Sequence, residues 1–310
     1  MLSSPRRAAR RGFTLLELLV VIAILAVIAG TVVATYSGLE EDAAEGSSAY
    51  TLSGVDQALR AFTTIERTAP NRFDSLVAAT YPGDSTTPVT AAGAAKAVSV
   101  PSRMLSKTLP VHSLTAAQAT ALRNAGITQL RYLDPAANDL ANPAPGSGGT
   151  VTLSIPDADG GASAVVGALQ DIDMPNRLFE TPRPGSGRNR GRGFLGAIGT
   201  GSPVLVWDAN RSGGTGGYDN TKLGAGPNDV LVVFGLGNDA TCVGGDKRAG
   251  FPSAPVFGQV GPRHEYGRFI VAYNLGPATA TRSRAVLQGV MNTHGEFLDE
   301  ALSNFSGAYN

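Results

Sequence analysis

The stretch that decides the architecture runs from Arg10 to Gly30, RRGFTLLELLVVIAILAVIAG. After Gly12 it is almost wholly apolar, yet Glu17 stands near its start. A carboxylate at the centre of a membrane helix costs ~2.5–3.5 kcal/mol, so Glu17 needs a physical reason. From Phe13 to Val33 the run spans 21 residues, about 31 Å of α-helix against a hydrocarbon core of ~30 Å. That length predicts one membrane-crossing helix. No later stretch approaches it without charges or Gly/Pro breaks, which leaves the rest of the chain to form one large or two small soluble domains.

The leader MLSSPRRAARRG carries Arg6, Arg7, Arg10 and Arg11 and no acid. The positive-inside rule keeps such a leader in the cytoplasm and sends the C-terminal bulk across the membrane. The whole chain balances 25 basic against 25 acidic residues; starting at Phe13 it would have 298 residues and a formal charge of −4. Nothing in that balance calls for a polyanionic partner, and nucleic acid is not expected. The lone Cys242 has no intramolecular disulfide partner and reads as a small buried apolar residue. A secretory signal peptide has an apolar region of roughly 7–15 residues followed by a small-residue cleavage site, whereas this run is longer and charged at its fifth position. Arg10-Arg11-Gly12-Phe13 also fits the R-R-x-F core of a twin-arginine export signal. The very apolar sequel and Glu17 argue against that reading.

Gly12-Phe13-Thr14-Leu15-Leu16-Glu17, after a short Arg-rich leader and before LLVVIAILAVIA, resembles the N-terminal signal of type IV pilins and type II secretion pseudopilins. The resemblance covers roughly residues 6–40. It implies that a membrane prepilin peptidase cuts after Gly12 and methylates Phe13, which makes Glu17 the fifth mature residue, where the family carries its Glu. Physical reasoning fits the same positions. Glycine offers the peptidase a permissive backbone, and the new α-amino group of Phe13 is cationic near neutral pH. In a stack of staggered helices the amine of an incoming subunit can meet the carboxylate of Glu17 on its neighbour, so that pairing offsets desolvation. Glu17 then acts as an assembly register; the plainer alternative is a carboxylate snorkelling to the interface.

Ala26, Gly30, Ala34 and Gly38 recur every four residues, a small-residue ridge suited to close helix packing. Beyond Tyr36 the chain turns acidic, with Glu40, Glu41, Asp42 and Glu45. Leu52, Val55, Leu59, Phe62 and Ile65 then mark one face of an amphipathic helix reaching about Arg67. Gly30, Gly38, Gly46 and Gly54 are places where curvature or local melting is expected.

In the remainder, NRFDSLVAA (71–79) suggests a short helix, and Thr115-x-x-Gln118 is a capping box opening a helix closed by Gly126. VTLSI (151–155), PVLVWD (203–208), DVLVVFGL (229–236) and RFIVAYN (268–274) read as strands of an antiparallel sheet. Ala285–Phe305 carries apolar residues near helical spacing and predicts a C-terminal amphipathic helix.

The search for chemistry is mostly negative. Gly191-x-Gly193-x-x-Gly196 matches a dinucleotide fingerprint by letters but lacks the strand–turn–helix context. There is no G-x-S-x-G, H-E-x-x-H or C-x-x-C, and His112, His264 and His294 lie far apart. Asp157-x-Asp159-Gly160 and GNDATCVGGD (237–246) supply oxygen atoms without calcium-loop spacing, and the Arg-rich loop TPRPGSGRNRGRG (181–193) has no interleaved aromatic platform. No catalytic residue, metal or cofactor is expected.

The expected architecture is α+β. A cleaved leader (1–12) precedes a long helix (13–67) whose first part (13–33) spans the membrane and whose amphipathic half packs on a head (68–310) with an antiparallel sheet and short helices. The resemblance implies a non-enzymatic subunit of a type II secretion pseudopilus or type IV pilus-like fibre, its large head suiting a minor subunit. Its implied partners are the prepilin peptidase, other pilin or pseudopilin subunits, the assembly platform and the inner membrane, with the head periplasmic before passage into a pseudopilus or surface pilus. The alternative is a membrane-anchored or exported binding or hydrolytic domain with a prepilin-like or twin-arginine-like signal.

Overall fold

The computed structural model describes residues 15–90, 95–96, 109–133, 193–207, 223–244, 250–257, 266–293, 295–299 and 301–302; at 31–45, 48 and 95–96 only the backbone is described. A single helix, α1 (Leu15–Glu66), occupies 52 residues and runs unbroken through Gly30, Gly38, Gly46 and Gly54, so the expected local melting is not seen. It stops where Arg67 takes a left-handed φ of 58°, the conformation that commonly closes a helix. Ala49, Leu52, Val55, Leu59 and Phe62 are buried, while Ile65 is half exposed. These buried residues belong to the same apolar cluster as the strands of the head.

Among the described residues the head is built on a nine-stranded mixed sheet. Its strands are β1 (Phe73–Ala78), β2 (Ala95–Lys96), β3 (Val111–Ser113), β4 (Gln129–Leu133), β5 (Gly193–Ala197), β6 (Pro203–Trp207), β7 (Asp229–Gly235), β8 (Ile270–Pro277) and β9 (Val286–Met291). The main path runs β3-β6-β7-β1-β4-β5, with β2 beside β1 and with β8 and β9 extending from β7. Leu231–Val233 of β7 pair with β6, and at Gly235 the same side of β7 passes to Asp74 of β1. β1 and β4 are parallel, which requires a crossover between them. That crossover contains helix α2 (Ala116–Ala125).

Local chemistry explains α2. The Thr115 side chain accepts from the Gln118 amide at 3.3 Å, and Gln118 accepts from the Thr115 amide at 2.9 Å. Gly126, at φ 107°, closes the helix, and a Cβ there would press on Thr68 and Ala69.

Three expectations are corrected. Residues 71–79 form no helix: Phe73–Ala78 is strand β1, buried at all six positions. A strand covered on both faces loses the alternation that would reveal it. The expected C-terminal helix over 285–305 is replaced in its first part by β9, which pairs antiparallel with β8 from Ile270↔Met291 to Asn274↔Val286. Gly295, at φ 85°, then turns the chain back so that Phe297 bridges Met291; among the described residues of this stretch, 298–299 and 301–302 are helical. The sheet is mixed because β1 pairs parallel with β4. The strands expected at 203–208, 229–236 and 268–274 are present as β6, β7 and β8, whereas 151–155 lies outside the described residues.

Candidate functional site

Leu15, Leu16, Leu18, Leu19, Val20, Val21, Ile22, Ile24, Leu25, Val27 and Ile28 are each between 45% and 81% exposed. Successive helical positions advance by about 100°, so the apolar surface surrounds the helix on every side. A helix apolar all round needs lipid or other helices about it, and an apolar area of this extent is far larger than a soluble monomer leaves bare. Glu17 is an exposed position within this surface, near the N-terminal end of the described helix.

Ala26 and Gly30 lie on the same exposed helix, and an added Cβ at Gly30 would meet nothing within 4 Å. Ala34 and Gly38 also belong to α1. Gly12 and Phe13 lie outside the described residues, so the structure does not bring Phe13 and Glu17 into view together. Among the described residues no helix is long and apolar enough to cross a membrane. The part of the apolar run with described side chains, residues 15–30, is about 24 Å long, short of the ~30 Å core.

Inside the head lies a buried ionic cluster that the sequence did not reveal. Asp74 Oδ2 accepts from the Tyr266 hydroxyl at 2.7 Å and lies 3.7 Å from Arg268 Nη1. Arg131 Nη2 lies 3.2 Å from Asp239 Oδ2. Burial pushes the Asp74 carboxyl up to about 7, opposed by the Arg268 charge and the Tyr266 hydrogen bond. The Tyr266 hydroxyl is raised well above its ordinary range, first by burial and then by Asp74. Two glycines make room: a Cβ on Gly237 would collide with the Asp74 carboxylate, and one on Gly235 with the Tyr266 hydroxyl. The signal that could have pointed to it was a pair of glycines at the end of a strong strand, which often marks a close approach. The cluster ties β1 and β4 to the segments at 239 and 266–268.

His112 Nε2 lies 3.0 Å from Gln118 Oε1, so this imidazole packs against the α2 cap. His264 and His294 lie outside the described residues. Cys242 is buried, and burial pushes its thiol up to about 12, so it is an inert core residue. Gly193–Ala197 of the glycine fingerprint is strand β5, not the helix that a dinucleotide site requires. Asn238 accepts from the Ala254 amide at 3.2 Å, so this side chain of the 237–246 stretch serves the loop itself. Asp157, Asp159 and most of the Arg-rich loop lie outside the described residues, and among the described residues no group of His, Cys, Asp or Glu is arranged to hold a metal.

A family model described as the prokaryotic N-terminal methylation motif matches residues 7–33. No curated protein and no solved structure matches the chain.

Proposed function

We propose that this chain, which carries the prepilin-type signal of the type IV pilin and pseudopilin family, is a structural subunit of a type II secretion pseudopilus or type IV pilus-like fibre. The prepilin peptidase removes residues 1–12 and methylates Phe13. Residues 13–33 hold the subunit in the inner membrane with the head in the periplasm, until an assembly platform moves it into the fibre. There α1 packs among the helices of other pilin or pseudopilin subunits, with Ala26, Gly30, Ala34 and Gly38 permitting close approach and Glu17 receiving the Phe13 amine of a neighbour. The chain performs no catalysis and needs no cofactor.

One observation carries this reading: the apolar surface encircling α1 from Leu15 to Ile28 lies within the matched motif. A surface exposed on all sides suits two successive environments, first lipid and then a bundle of like helices. No observation favours the anchored binding or hydrolytic domain. Mass spectrometry of the N-terminal peptide from cells tests the processing step. The expected peptide begins at methylated Phe13, and Gly12→Leu leaves the precursor uncut; cleavage beyond residue 29 would establish an ordinary signal peptide instead.

A further inference from the structure

The C-terminal turns of α1, the end of α2 and the strand β9 enclose an open groove of about 770 Å³. Among the described residues, the charged groups lining it are Arg60, Arg67 and Arg284, and no acid lines it. Its floor is small and apolar, formed by Ala69, Ala125, Ala285 and Val286 among others. The groove is built rather than incidental. Arg284 donates to the Arg67 carbonyl at 2.9 Å, Arg60 donates to the Gln288 carbonyl at 3.5 Å, and the Ala285 amide donates to Ala121 at 2.9 Å. Asp56, paired with Arg60 at 2.7 Å, is the counter-charge within reach; Glu66 stands exposed next to Arg67.

The opposite charge lies on the same helix. Residues 40–45, EEDAAE, place four acids and no base on α1, with two alanines between them. Glu41 and Glu45 stand one turn apart, where like charges work against a helix. A cationic partner relieves that repulsion. The belt cannot reach the groove of its own chain, because its centre lies about 30 Å along the helix from Arg60–Arg67.

We propose that the groove receives the acidic belt, Glu40–Glu45, of a second copy of this chain. The inference rests on the fibre reading above, since it needs α1 helices lying parallel and staggered. A stagger of about 30 Å sets one belt against another chain's groove. The two surfaces differ, so the contact is heterologous and leaves one belt and one groove open at the two ends. Such a contact propagates into a filament instead of closing into a dimer.

Disulfide trapping in the full-length protein, expressed with its assembly system, tests this. Thr64→Cys places a thiol on an exposed residue lining the groove, and Ala44→Cys places one inside the belt. An α-helix holds these two positions about 30 Å apart within one chain, far beyond the ~7 Å that a disulfide can bridge, so any 44–64 bond joins two chains. Native Cys242 is buried and stays silent. Two co-expressed chains, one with Leu16→Cys and the other with Val20→Cys, reproduce the four-residue offset of Phe13 and Glu17; each carries one introduced thiol, so a 16–20 bond joins two chains and reports packing of the apolar helices.

The expected result is oxidised multimers from both pairs, with the 44–64 yield falling about tenfold on Arg67→Glu and recovering when Glu41→Arg is added. Multimers from 16–20 without any from 44–64 overturn the groove proposal and leave the fibre reading standing. Absence of both overturns both. A loss of 44–64 multimers on Arg67→Glu that Glu41→Arg does not restore shows that the groove takes acids from another source, which also overturns the proposal.

Discussion

Asp74 and Tyr266 meet in the core of the head through a 2.7 Å hydrogen bond from the phenol to the carboxylate, with Arg268 3.7 Å away. Removing one partner of a buried ion pair strands the other, so this cluster holds β1 against the segment that leads into β8.

The cluster makes stability depend on pH. Asp74 titrates near 7 in the fold and near ~3.9 in an unfolded chain. Between those values the folded state binds more protons, so stability falls as pH rises through the window and levels off above about 7. Denaturant midpoints of the head measured from pH 5 to 8 will show this slope. In Asp74→Asn the slope flattens, whatever the absolute stability; an unchanged slope would show that Asp74 does not titrate there.

Gly237→Ala and Gly235→Ala will each destabilise the head. The added methyl collides with the Asp74 carboxylate in the first and with the Tyr266 hydroxyl in the second, and overpacking of this kind costs ~1–3 kcal/mol. Gly201→Ala is a poor control because its φ is 84°, whereas Gly54→Ala is a sound one: it lies mid-helix with nothing within 4 Å of the new Cβ. Thermal melts that rank Gly54→Ala below either collision variant would refute the packing account.

The capping box gives a smaller, local effect. Thr115→Ala removes the side-chain acceptor for the Gln118 amide and will cost ~1 kcal/mol. Thr115→Ser keeps the acceptor and restores most of the loss. Equal melting temperatures for the two variants would show that the cap contributes nothing measurable.

Removing residues 1–37 will leave a soluble monomeric head. Leu52, Val55, Leu59 and Phe62 are already buried against it, while the deleted part carries the exposed apolar surface. Size-exclusion chromatography with circular dichroism checks this; aggregation with a native spectrum would show that the division between helix and head lies elsewhere.

How far the sequence could be read depended on the physical character of each segment. The apolar run with its embedded Glu17 is a one-dimensional signal, and so is the Thr115–Gln118 cap, because its partners are three residues apart. β6, β7 and β8 are rich in β-branched and aromatic residues, which favour strands wherever they pack. β1 and β9 were misread because FDSLVA is buried on both faces and VLQGVM has apolar spacing that suits either structure. The Asp74 cluster joins residues 192 positions apart, a pairing between β1 and the segment before β8. No local pattern encodes it, although Gly235 and Gly237 hinted that something approaches closely.

In the proposed fibre α1 assembles with its like and Glu17 sets the register. The decisive measurement compares Glu17→Leu with the wild type in cells for two quantities at once: the mass of the N-terminal peptide, and the yield of sheared fibres with their 16–20 cross-links. Cleavage before Phe13 stays normal while ordered fibres and cross-links are lost, because the substitution removes the partner of a buried cation. Fibres of wild-type abundance and spacing from Glu17→Leu cells would contradict that role and reduce Glu17 to an interfacial carboxylate.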